Sequence, residues 1–176
     1  MHGFEPLPGT ENAYAKKSGK KIRRVLGIDP GLASTGFGLV DYKDGRYRMV
    51  SYGVIETAAR TPHGERLLAL YARLCSIIEE FSPGEKLYFA RNTSSAMGVA
   101  EARGVATLCI AQHGISLGEY TPNQIKQAVT GTSAADKALV EKYIKLLLAL
   151  ETEPKPDHAA DALAGALTHL HYANVL

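Results

Sequence analysis

A short apolar run, Val25, Leu26 and Ile28 broken only by Gly27, ends on Asp29 and turns at once through Pro30-Gly31. A run of this length closed by a turn suits a strand buried on both faces, so the rest of the chain must pack around it. An ionised carboxylate at the end of such a strand is costly unless it is paired, hydrogen-bonded or bound to a cation. Asp29 is therefore either part of a site or a turn residue of the ordinary kind, since Asp before Pro-Gly is common turn chemistry. The run alone leaves both readings open.

At 176 residues with 45% hydrophobic content, the chain suits a single domain with a substantial core. Its 20 Lys and Arg stand against 18 Asp and Glu, a net charge of +2, so any basic surface has to come from local clustering. The two cysteines, Cys75 and Cys109, fall in segments that read as apolar helices and lack CxxC or Cys/His neighbours, which fits buried free thiols in a reducing compartment. No apolar run is long enough to span a bilayer and no signal-peptide core is visible, so a cytoplasmic protein without membrane association is expected. Residues 1–21, rich in Gly, Pro and Lys without periodicity, read as a disordered leader or tag ahead of one domain over 22–176.

Thr35 to Asp41 reads as a second strand, and Asp44-Gly45 turns it into a third from Arg46 to Glu56. Apolar residues then recur at helical spacing from Pro62 to Phe81, and Ser82-Pro83-Gly84 stops that helix. Leu87-Tyr88-Phe89 is a very short strand-like run. Asn92 or Thr93 can cap a helix to about Gln112, on which Ala96, Ala100 and Gly104 form a smooth ridge suited equally to packing on the sheet or to a dimer contact. Ile115 to Tyr120 fits a fifth strand, and Thr121-Pro122-Asn123-Gln124 carries a capping-box pattern with Pro in first position. A helix is expected from about Ala134 to Leu150, and a last one from Asp157, as its N-cap, to about His171. The pattern is α/β: three antiparallel strands, then two parallel ones, in a five-stranded mixed sheet flanked by helices.

On the last helix His158 and Asp161 are three residues apart and project from one face, among small residues that leave them accessible. A His and an Asp at a helix start can equally be plain solvated groups. Taken with Asp29, however, four successive blocks resemble the RuvC-type Holliday junction resolvases: GIDPGLASTGFGLVD, FARNTSSAMGVAEARGVA, EYTPNQIKQAVTGTSAADK and PKPDHAADALAGALTHLH. The resemblance runs in order over about residues 23 to 171.

It implies an RNase H-like fold, a homodimer, and symmetric metal-dependent nicking of four-way junction DNA in recombination and repair. By the same resemblance Asp29 matches the first-strand acid, while His158 and Asp161 match the pair on the last helix. Glu85 matches a second acid at the end of the fourth strand. Two Mg²⁺ ions, with Mn²⁺ as a substitute, suit this donor set, since hard cations prefer oxygen ligands. Lys126 and Lys137 match phosphate-neutralising positions, Tyr88 an aromatic that can stack on a base, and Arg91 and Arg103 are further phosphate candidates. A branch-migration helicase complex is a partner the resemblance suggests.

The chain departs from the family at the fourth strand. Counting back from FARN puts Glu85 on the acidic position, whereas counting forward from Pro83 puts Phe89 there. The two registers differ by four residues, about 13 Å of strand. That loss motivates an alternative reading, a catalytically impaired junction-binding module. A smaller departure places Ser133 and Ala134 where relatives often have Gly and a basic residue. A sugar-kinase or chaperone-like ATPase is a third reading, because Asp-x-Gly followed by Thr-Gly also suits phosphate binding. One chain of this length offers only one of the two lobes that reading needs.

Overall fold

The computed structural model describes residues 22–83, 86–90 and 97–175. Within them the chain runs through β1 (Arg23–Asp29), β2 (Ser34–Lys43), β3 (Arg46–Glu56), α1 (His63–Phe81), β4 (Lys86–Ala90), α2 (Met97–Gln112), β5 (Ser116–Tyr120), α3 (Pro122–Thr130), α4 (Lys137–Leu147) and α5 (Asp157–Val175). The strands form one sheet in the order β3-β2-β1-β4-β5. The first three pair antiparallel, and β4 and β5 join parallel to β1. The apolar run that ends on Asp29 is thus the central strand.

Successive side chains of a strand point to opposite faces, and β1 divides its residues accordingly. Leu26 and Ile28 join Leu39, Leu70, Leu74, Ile77 and Ile110 in a core between the sheet and α1 and α2. Val25 joins Val40, Ile125, Ile144, Leu163 and Leu167 in a second core beneath α3, α4 and α5. Asp29 keeps step with Val25 and Gly27, so it belongs to the α5 side.

Helix α5 lies in backbone contact with the sheet. A Cβ on Gly27 would land on the Ala162 carbonyl oxygen and one on Gly36 on that of His158. Glycine at these two positions, with Ala159, Ala160, Ala162 and Ala166 on the helix, removes the side chains that would hold α5 away. This close seat brings residues 158 and 161 over the end of β1.

Two helix starts differ from expectation. Helix α4 begins at Lys137, three residues after the expected Ala134, because Asp136 turns its carboxylate back to accept from Leu139 N at 2.8 Å and so caps the helix there. Asp157 is the first residue of α5 and not its cap. The Pro156 carbonyl accepts from Ala159 N and Ala160 N, which leaves the Asp157 carboxylate to two lysines. The capping box of Thr121 and Gln124 forms in full. Cys75 on α1 and Cys109 on α2 are buried where these helices pack together.

Candidate active site

The turn after β1 is held by Thr35, a fully buried residue of β2. Its hydroxyl donates to Gly31 O at 2.7 Å and accepts from Gly31 N at 3.2 Å. A second tie runs through Thr57, which donates to Leu32 O at 2.5 Å and accepts from Arg66 Nε at 2.9 Å. These bonds fix the backbone just beyond Asp29, whose residue is only 5% exposed.

His158 supplies the partner that this buried acid needs. Its Nδ1 lies 2.7 Å from Asp29 Oδ2, across 129 residues of chain. A carboxylate only accepts, so Nδ1 is the donor to Asp29, and the other ring nitrogen, Nε2, is the one left to face a ligand. Asp161 stands one turn further along α5. Burial raises its carboxyl above the ordinary value; Lys137 pulls it down, Asp29 raises it again, His158 lowers it and Asp157 raises it.

Lys137, at the start of α4, reaches Asp157 at 2.9 Å and Asp161 at 3.6 Å. Burial works against its charge, yet the hydrogen bond to Asp157 and the fields of Asp161, Asp157 and Glu141 leave its pKa raised. The second lysine on Asp157, Lys155, is held by Glu141 at 2.9 Å. The donor set of Asp29, Asp161 and a His158 nitrogen suits a hard divalent cation in its chemistry, while as the side chains stand their ligand atoms do not all lie within 4.8 Å of one another. Its negative charge is concentrated and partly desolvated, and here a lysine leans on it.

The fourth strand settles its own register. Leu26, Gly27 and Ile28 stand opposite Leu87, Tyr88 and Phe89. Continued by one residue, this pairing sets Ala90 beside Asp29, and Lys86 at the far end of the strand, about 13 Å away. The described part of β4, KLYFA, holds no acid. Glu85 and Arg91 lie outside the described residues, as does the Tyr88 side chain.

Sequence and structural relatives agree with this architecture. The family profile described as crossover junction endodeoxyribonuclease RuvC matches residues 25–169. The chain belongs to the RuvC family. A RuvC of Treponema denticola is 47% identical over 92% of this chain and 93% of its own length. One from Caldicellulosiruptor saccharolyticus is 47% identical over 84% of the chain and 92% of the relative. Among solved structures, Thermus thermophilus RuvC in complex with a Holliday junction substrate superposes with a TM-score of 0.81 at 33% identity, covering 87% of this chain and 96% of that one. A fowlpox virus resolvase, 8% identical with a TM-score of 0.57 over 86% of this chain and 99% of that one, shares the RNase H-like fold.

Against the RuvC pattern, Lys126 sits half-buried on α3 and Lys137 lies against the acids of α5. Arg103 on α2 is paired with Glu119 of β5, so its charge is already engaged. Nothing in the residue pattern singled out Thr57 and Arg66, and the Thr-Gly step at Thr35 suggested only phosphate binding; their part in holding the turn after Asp29 appears in three dimensions. The glycines were more accessible to inference. Gly27 and Gly38 face each other across β1 and β2, and glycines so placed in neighbouring strands mark a close backbone approach.

Proposed function

We propose that this chain resolves four-way (Holliday) DNA junctions as a structure-selective endonuclease, cutting phosphodiester bonds by paired, symmetric nicks. The observation that carries this reading is the buried Asp29 bonded to His158 with Asp161 alongside, in a chain of the RuvC family. A relative bound to a Holliday junction substrate supports the choice of DNA. The non-catalytic binding module draws no support from the reported relatives, which are named as endonucleases.

Asp29, His158 and Asp161 would hold two divalent ions, Mg²⁺ by preference with Mn²⁺ as a substitute; Glu85, which precedes the end of β4 remote from Asp29, would join them only if the chain there carries it back toward that acid. Such ions, when bound, activate water and stabilise the leaving oxygen of an in-line displacement. Asp29 and Asp161 supply the hard oxygen donors, and the bond from His158 Nδ1 fixes the Asp29 carboxylate in one orientation. Lys137 balances the acids of α5 and is placed to turn toward a phosphate when those acids take another cation. Lys126, Arg91 and, once released from Glu119, Arg103 contribute to backbone binding, and Tyr88 to base stacking.

The chain would work as a homodimer. Met97, Ala100, Gly104 and Leu108 follow one another on one face of α2; Met97 is 77% and Leu108 55% exposed, Ala100 is exposed, and nothing approaches Gly104. An apolar, smooth and uncovered helix face suits a second copy of the chain. No helix among the described residues is long and apolar enough to cross a membrane. Partnership with a branch-migration helicase belongs to the same proposal.

The decisive experiment incubates the protein with a synthetic four-way junction and Mg²⁺ or Mn²⁺, beside Asp29→Asn. Paired nicks from the parent and a loss of at least about 100-fold in the variant, with binding retained, are expected. Tight binding without nicks in either metal would overturn the catalytic reading. Glu85→Gln in the same assay reports whether the acid before β4 takes part.

A further inference from the structure

Away from the acidic site, α1 and α2 bring together a second set of ligand-type side chains. Cys75 Sγ and Cys109 Sγ lie 2.6 Å apart, and Cys109 Sγ is 3.9 Å from His113 Nδ1. The two sulfurs and a ring nitrogen all fall within 4.8 Å of one another, a grouping found only here among the described residues. Contrary to the expectation of cysteines without a histidine neighbour, His113 follows Cys109 by one helical turn, and Glu79 follows Cys75 by one turn on the facing helix. Glu79 Oε1 is 3.7 Å from the other ring nitrogen, His113 Nε2.

We infer that Cys75, Cys109 and His113 form a binding site for a thiolate-seeking divalent ion of the Zn²⁺ type, clamping α1 to α2. Two thiolates and an imidazole match the donor preference of that ion, and they differ sharply from the oxygen donors around Asp29. A carboxylate beside the second nitrogen of a ligating histidine is the usual device for fixing its tautomer and orientation, and Glu79 stands in that place. Two thiolates on one tetrahedral ion stand about 3.7 Å apart, so binding has to part the two sulfurs from the 2.6 Å seen between the thiols.

Binding replaces two thiol protons, released to solvent, by two sulfur–metal bonds, with no change in oxidation state. Burial pushes the Cys109 thiol well above its ordinary value, and Cys75 beside it reinforces the shift, so the metal-free Cys109 keeps its proton. In that state His113 Nδ1 lies 2.8 Å from the Cys109 carbonyl. Ligation exchanges this bond for one to the ion and leaves Nε2–H to donate to Glu79. The His113 side chain is 24% and that of Glu79 71% exposed, which opens the cluster to solvent on one side and leaves a fourth position for water.

The test titrates the reduced full-length protein with Co²⁺ and follows the near-ultraviolet thiolate-to-cobalt absorption. A band that saturates at one ion, yields to Zn²⁺ and persists in Asp29→Asn is expected, the last separating it from the acidic site. Cys109→Ser should abolish the band. Glu79→Gln, a surface change that leaves the core intact, should weaken binding about 10- to 100-fold. Absence of the band in the reduced parent, its survival in Cys109→Ser, or unaltered affinity in Glu79→Gln would overturn the assignment. So would a mass two hydrogens short, locating a Cys75–Cys109 disulfide that survives mild reduction.

Discussion

Asp161 keeps its proton to higher pH than an ordinary aspartate because burial outweighs the attraction of Lys137. The folded chain therefore binds that proton more tightly than the unfolded chain does. The resulting stability is fully present below the unfolded pKa and is lost as pH rises through the raised folded value. At neutral pH the ionised carboxylate opposes folding of the metal-free protein. Asp161→Asn should accordingly raise the melting temperature of metal-free protein at pH 7 while abolishing junction cleavage. The gain should vanish below about pH 4, where both forms are neutral; calorimetry across this range checks the sign. Lys126 makes a plainer prediction. If it meets one phosphate, Lys126→Ala should weaken junction binding alike for all sequences and reduce the slope of log affinity against log salt by about 1, measurable by fluorescence anisotropy.

At the scale of elements, β1, β2, β3 and the helix after them could be read from periodicity, because each has one apolar stripe or run closed by a strong turn signal. The hairpin at Asp44-Gly45 and the Thr121 capping box formed as their local chemistry dictates. The starts of α4 and α5 were harder to read, since at α4 the Asp136 side chain takes the first donor, while at α5 the Pro156 carbonyl and not the Asp157 side chain does so. The seat of α5 on the sheet depends on contacts between residues far apart in sequence, which no local pattern encodes. That seat can be tested. Gly36→Ala places a methyl group against the His158 carbonyl and should destabilise the fold by about 1–3 kcal/mol, as overpacking does, and slow cleavage by displacing His158 from Asp29. A denaturant midpoint and a cleavage rate, measured together, check both effects. The fourth strand was legible only up to a choice between two registers. The pairing of Ile28 with Phe89 selects between them for the described residues, while Glu85 falls outside those.

For the whole molecule, the proposed dimer makes the uncovered face of α2 a test of how many cuts a junction receives. Gly104→Arg adds a charged side chain where nothing approaches in the single chain, so the fold should be unaffected. Sedimentation should then show a monomer, and the variant should lose coordinated double nicking at concentrations where the parent retains it. The span between Asp29 and His158 has a different kind of consequence. With these partners 129 positions apart, the acid emerges from the ribosome early and its histidine late. At ~5–20 residues per second of synthesis, Asp29 waits on the order of 10 s for α5 to arrive. Until then a chain holding most of the sheet has no complete donor set. If Asp29, His158 and Asp161 form the proposed donor set, copies cut short before α5 should show no nicking of a four-way junction, and nuclease competence would then report that the last helix has docked.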